Sequence, residues 1–103
     1  MAIAQETVGT SATTIYTSSG NSATTAIFLM NNAVAARTVQ VYVVPSGGSA
    51  TTTTQIIKNL SIDAADTYII NTEKLVLSNG DTIQVSSSDD ATSVYATVSY
   101  VSI

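Results

Sequence analysis

A chain of 103 residues has room for one domain, 1–103, with one core, and it buries only about two-thirds of its unfolded surface, so it leans on partners for further burial. Three scattered cations, Arg37, Lys58 and Lys74, stand against seven acids for a net charge of −4, which excludes the basic stripe that a nucleic-acid backbone requires. With no His and no Cys, the commonest general base, the commonest metal ligand, the thiolate nucleophile and any disulfide framework are all missing.

The apolar residues are mostly β-branched, with eleven Val and ten Ile against four Leu and one Phe, and 17 Thr add hydroxyls with the same backbone preference. Such side chains suit a pleated, half-buried surface and resist helix. The first residues, Met1 to Glu6, lack the basic and apolar regions of a secretion signal, so synthesis in the cytoplasm is expected. Strands are expected over Ile3 to Val8, Ala12 to Thr17 and Thr24 to Met30, with turns at Ser18-Ser19-Gly20-Asn21 and Asn31-Asn32. The longest apolar run, Ala26 to Met30, is too short to cross a bilayer, so no membrane partner is expected. The helix-tolerant stretch 32–36 is too short to form a helix of its own.

Arg37 to Val44 alternates cleanly, placing Val39, Val41 and Val43 on one face and Thr38, Gln40 and Tyr42 on the other. Pro45 ends it and Ser46-Gly47-Gly48-Ser49 makes a turn. The run Thr51 to Thr54 reads as the start of a strand over Thr52 to Lys58, with alternate hydroxyls facing water. Thr67 to Asn71 and Leu75 to Leu77 are shorter strands, Asn79-Gly80 is a turn, and Asp81 to Ser86 points Ile83 and Val85 inward. Ser87 to Asp90 forms the last turn. The final strand, Ser93 to Ile103, carries Val94, Ala96, Val98 and Tyr100 on one face and Tyr95, Thr97, Ser99, Val101 and Ile103 on the other.

Eight or nine strands with turns at this spacing predict an all-β fold, an antiparallel, jelly-roll-like sandwich with Val39, Val41, Val43, Ile83, Val85, Val94 and Val98 in the core. Both faces of the final strand are apolar, so another chain is expected to cover one of them. Tyr95, Tyr100, Val101 and Ile103 are the candidate interface residues, in a homo-oligomer that is a dimer or a trimer.

No catalytic, metal or cofactor site is expected. A Ser nucleophile would need Lys58 or Lys74 as its base, and both sit where a sheet edge commonly places Lys. Asp89-Asp90 offers two carboxylates for glycoside hydrolysis or, joined by Asp63 or Asp66, oxygen ligands for calcium. In a Ser-rich turn, Asp more often bonds its own backbone, and replacing both by Asn is expected to change little.

The stretch Lys74-Leu75-Val76-Leu77-Ser78-Asn79-Gly80-Asp81-Thr82-Ile83-Gln84-Val85 consists of a short apolar strand, a Gly-Asp turn and a second alternating strand. Together with Ile57 to Ile62 and Val94 to Ile103, it resembles small virion structural proteins of tailed bacteriophages, cyanophages among them, over roughly residues 37–103. The resemblance implies a protein of the virion, a decoration or cement protein bridging subunits of the major capsid protein and stabilising the shell. Neck, tail and fibre proteins use similar sandwiches, which leaves a component that binds host-surface glycans through loops such as Ser46 to Ser49 and Ser87 to Thr92. A free carbohydrate-binding module is the weaker alternative, since Trp is absent. No catalytic or binding residue carries over from the resemblance.

Overall fold

The computed structural model describes residues 2–71 and 74–103, and these form two antiparallel sheets packed face to face. The strands are β1 (Ala2–Thr7), β2 (Thr13–Thr17), β3 (Ser22–Asn31), β4 (Arg37–Val44), β5 (Gln55–Ile62), β6 (Thr67–Ile70), β7 (Val76–Leu77), β8 (Thr82–Ser87) and β9 (Val94–Ser102). The first sheet runs β1-β9-β3-β6, with β7 continuing the β6 edge along β3; the second runs β2-β8-β4-β5. The chain crosses between sheets at every connection except β4 to β5 and β6 to β7. The fold is the expected β-sandwich.

The core lies between the sheets. Val39 and Val41 on β4, Ile83 and Val85 on β8, and Val94 and Val98 on β9 are fully buried, with Ile27 and Leu29 of β3 against them. Val43, expected in the core, is only half-buried and packs on the edge of this cluster near the end of β4. Register shifts adjust the alternation in β2, in β3 and twice where β4 meets β5. In β2 the register shifts between Thr14 and Tyr16, which lets consecutive residues Ile15 and Tyr16 both be buried. In β3 it shifts between Thr24 and Ala26, so inward positions pass from Ser22 and Thr24 to Ile27, Leu29 and Asn31.

Thr51 to Thr54 is a turn, and β5 begins only at Gln55. The Thr54 N–H donates to the Thr51 carbonyl at 3.0 Å, and its hydroxyl accepts the Thr51 N–H at 2.9 Å and lies 3.0 Å from the Ser49 carbonyl. Local bonds of a threonine hydroxyl to nearby backbone have overridden its strand preference.

Asn31 ends β3 as a buried residue, fully shielded from solvent, where the sequence marks a turn. Its Nδ2 donates to the carbonyls of Ala35 and Ile62, each at 2.9 Å, and of Asp63 at 3.2 Å; its Oδ1 accepts the Ala33 N–H at 2.9 Å. One amide thus fastens the β3–β4 and β5–β6 connections to each other. At the other end a chain of hydroxyls serves the same purpose, Tyr16 Oη donating to Ser22 Oγ at 2.8 Å and Ser18 Oγ lying 2.7 Å from the same atom.

Candidate interaction surface

The outward faces of the two sheets differ in chemistry. On the second sheet, Thr14, Thr82, Gln84, Ser86, Thr38 and Gln40 face out together with Tyr42 and with Val44, which is itself buried, their register partners sharing the same side. Their polar groups are linked laterally. Ser86 Oγ donates to Gln40 Oε1 at 2.9 Å, and Gln40 Nε2 donates to Asn59 Oδ1 at 3.0 Å and to Ser88 Oγ at 2.8 Å. That face is made for water.

The outward face of the first sheet is apolar. β9 runs through its middle, and its outward residues Tyr95, Thr97, Ser99 and Val101 are flanked by Ile3 of β1 on one side and by Phe28 and Met30 of β3 on the other. Beyond β3, Ile69 of β6 sits beside Phe28, and Val76 of β7 sits beside Ala23. Ile3, Ile69 and Val76 are 62%, 47% and 70% exposed. Among the described residues, no Lys, Arg, Asp or Glu occupies an outward register position on these strands. Of the polar groups there, four pair with one another, Gln5 Nε2 donating to Thr97 Oγ1 at 3.3 Å and Thr25 Oγ1 to Ser99 Oγ at 2.7 Å, while Thr7 and Thr67 lie at the rim. Covering this face therefore strands little unpaired polarity. A shallow hollow of about 310 Å³ opens at its β1–β9 corner, beside Tyr95.

No family model matches the chain, and no curated protein or solved structure does either. The surface must be interpreted from its own chemistry.

Of the four interface candidates, the structure brings Tyr95 and Val101 together on this face, and Ile103 follows β9 with its N–H bonded to the Asn21 carbonyl at 3.0 Å. Tyr100 points the other way. Its ring packs on Tyr16 of the opposite sheet, centroids 4.3 Å apart, and closes one end of the core. The face also contains Ile3, Phe28, Met30, Ile69 and Val76, which the sequence alone did not bring in. For β3 there was a signal: Ala26 to Met30 is apolar without alternation, as in a strand covered on both sides.

Four of the carboxylates, Asp66, Asp81, Asp89 and Asp90, have structural employment. Asp90 Oδ1 accepts the Thr92 and Ser93 N–H groups, both at 3.0 Å, while Oδ2 accepts Ser93 Oγ at 2.8 Å and Arg37 Nε at 3.0 Å. The Thr92 N–H and then the Ser93 hydroxyl hold this carboxyl below its ordinary value of 3.8 against an upward push from desolvation, and Arg37 adds to the lowering. Asp89 accepts the Thr38 N–H at 2.7 Å. These contacts revise the expectation that Asn at both positions changes little. Asp81 accepts the N–H of Ser46 and of Ser78, both at 2.9 Å, and Asp66 accepts that of Thr67 at 2.8 Å. Glu73 lies outside the described residues, and among those described no three acidic side chains converge. Lys74 Nζ donates to the Thr25 and Asn71 carbonyls, filling the gap between β6 and β7.

The two loops considered for glycan binding lie at opposite ends of the sandwich. Val44 pairs with Thr82 and Val39 with Ser87, so Ser46 to Ser49 leaves β4 at one end of the β4–β8 pair and Ser87 to Thr92 leaves β8 at the other. They cannot line one site.

Proposed function

We propose that the chain is a non-catalytic structural protein of a phage virion, a decoration or cement protein that works as a homo-oligomer on the capsid shell. The observation that carries the assembly part of this reading is the contrast between the two outward faces. One sheet presents a hydrogen-bonded polar lattice, the other a largely apolar surface with no charge at its described outward positions, of the kind that marks an interaction site. The virion part is supported by the resemblance over residues 37–103. The absence of catalysis is supported by Asp66, Asp81, Asp89 and Asp90, which are engaged in holding turns, and by the hollow at the β1–β9 corner, where Glu6 is the single acid among the lining residues.

Quantitative mass spectrometry of purified particles tests it. Hundreds of copies per particle, and rebinding of the purified chain to stripped shells, are the expected result. A handful of copies would move the chain to the tail or neck, and absence from particles would refute the virion role.

A further inference from the structure

We propose that the outward face of the first sheet is the contact between two copies of this chain, packed sheet on sheet about a two-fold axis. The inference rests on the assembly reading above and deepens it by naming the occupant.

Area is the first argument. β1, β9 and β3 contribute 6, 9 and 10 residues and the β6–β7 edge 4 and 2, so at about 3.3 Å per residue and about 4.8 Å per strand the face covers on the order of 500 Å² in projection. Two copies face to face would remove on the order of 1,000 Å² from water, the size at which specific interfaces separate from incidental contacts. A smaller peptide would leave much of the apolar surface wet.

Charge is the second. A foreign partner selected by electrostatic complementarity would leave charged groups across the face, whereas its described outward positions hold none and the nearest charges are at its margins, Glu6 at the β1–β9 corner and Lys74 bonded to the Thr25 and Asn71 carbonyls. A two-fold contact requires a surface that complements itself, and an uncharged apolar face does so without any matching of sign. The net charge of −4 per chain does not oppose the pairing at the contact. Asp63, Asp66, Asp81, Asp89 and Asp90 lie in connections at the ends of the sandwich, and Glu6 pairs with Ala96 on the inward side of β1.

The geometry is that of two sheets stacked about 10 Å apart with strands at a small angle, the packing already used inside each sandwich. It leaves the outer edges of β1 and β5 open, so a dimer keeps strand edges with which to engage a shell.

Sedimentation equilibrium of the full chain at micromolar concentration tests the assignment. The expected mass is twice the 10.6 kDa of one chain. Ile69→Lys and Val101→Lys are expected to weaken self-association by at least about 100-fold, because a two-fold contact brings two new cations onto one apolar interface. Gln84→Lys, on the polar face of the second sheet, is expected to leave it unchanged. Circular dichroism confirms that each variant is folded. Should either lysine variant fail to fold, methyl NMR of the unaltered chain decides: Ile3, Ile69 and Val76 signals shift on dilution while those of buried Ile27 and Ile83 stay still. A chain that remains monomeric at hundreds of micromolar, or a dimer indifferent to both lysines, overturns the inference. A monomer that still coats shells overturns the second copy alone and gives the face to the shell; a dimer absent from particles upholds the pairing and removes the virion role.

Discussion

Replacing Asn31 by Ala should cost far more than its place beside a turn would suggest. The substitution deletes an amide that is fully buried and bonded to three carbonyls and one N–H drawn from two different connections. Of these, the bond to the Ile62 carbonyl is buried and the others are partly open to water. Leaving one buried acceptor unpaired costs about 1–3 kcal/mol, and each remaining bond contributes a net of about 0.5–1.5 kcal/mol, part of which water restores. The sum is about 3 kcal/mol, or a fall in Tm of roughly 12–24 °C for a domain of this size. Urea unfolding followed by far-ultraviolet circular dichroism measures it, with exposed Asn32→Ala as the control expected to stay within about 0.5 kcal/mol of the parent. A loss below about 1 kcal/mol for Asn31→Ala would refute the view that this amide clamps the end of the sandwich.

Three further outcomes are expected. Gly80 has φ of 88°, and a Cβ there would lie 2.6 Å from Ser46 Oγ, so Gly80→Ala should cost about 2 kcal/mol, with part recovered when combined with Ser46→Ala because only the clash is relieved. The lowered pKa of Asp90 means that folding favours its ionised form. Its contribution is complete above pH 3.8 and is lost as the pH falls through the folded value, so Asp90→Asn should lower Tm near neutrality and flatten the fall in Tm below pH 3.8. Ser87 Oγ is buried with no hydrogen-bond partner among the described residues, while its N–H bonds the Gly9 carbonyl; Ser87→Ala should therefore raise stability by about 0.5–1 kcal/mol, read as a higher midpoint in urea.

The strands were legible where alternation was strict. Arg37 to Val44 and the Ile83 and Val85 pair sit as their period demands, because a half-buried strand has little choice about which face it turns inward. What the pattern could not show was where alternation slips. Thr24 and Ile27 both face the core only because a bulge absorbs one residue between them, and no glycine marks it. Asn31 was hidden for a similar reason: the same residue type serves a turn or a buried clamp, and the choice depends on Ile62 and Asp63, some thirty positions away. The interaction surface was half visible. Apolar residues on both sides of β9 gave Tyr95, Val101 and Ile103, but Ile69 and Ile3 join them only through strand order, which local sequence does not encode. Tyr100 shares a strand with that row and belongs to the opposite side, where Tyr16 meets it.

Hydroxyl-radical footprinting of the chain in its assembled state, compared with the same chain dispersed to monomers, tests most directly whether the outward face of the first sheet is covered in the working protein. Met30, Ile69, Tyr95 and Val101 are expected to lose most of their labelling on assembly, while Tyr42, on the outward face of the second sheet, keeps its own. Unchanged labelling of Ile69 and Tyr95, or protection confined to Tyr42, would contradict the account.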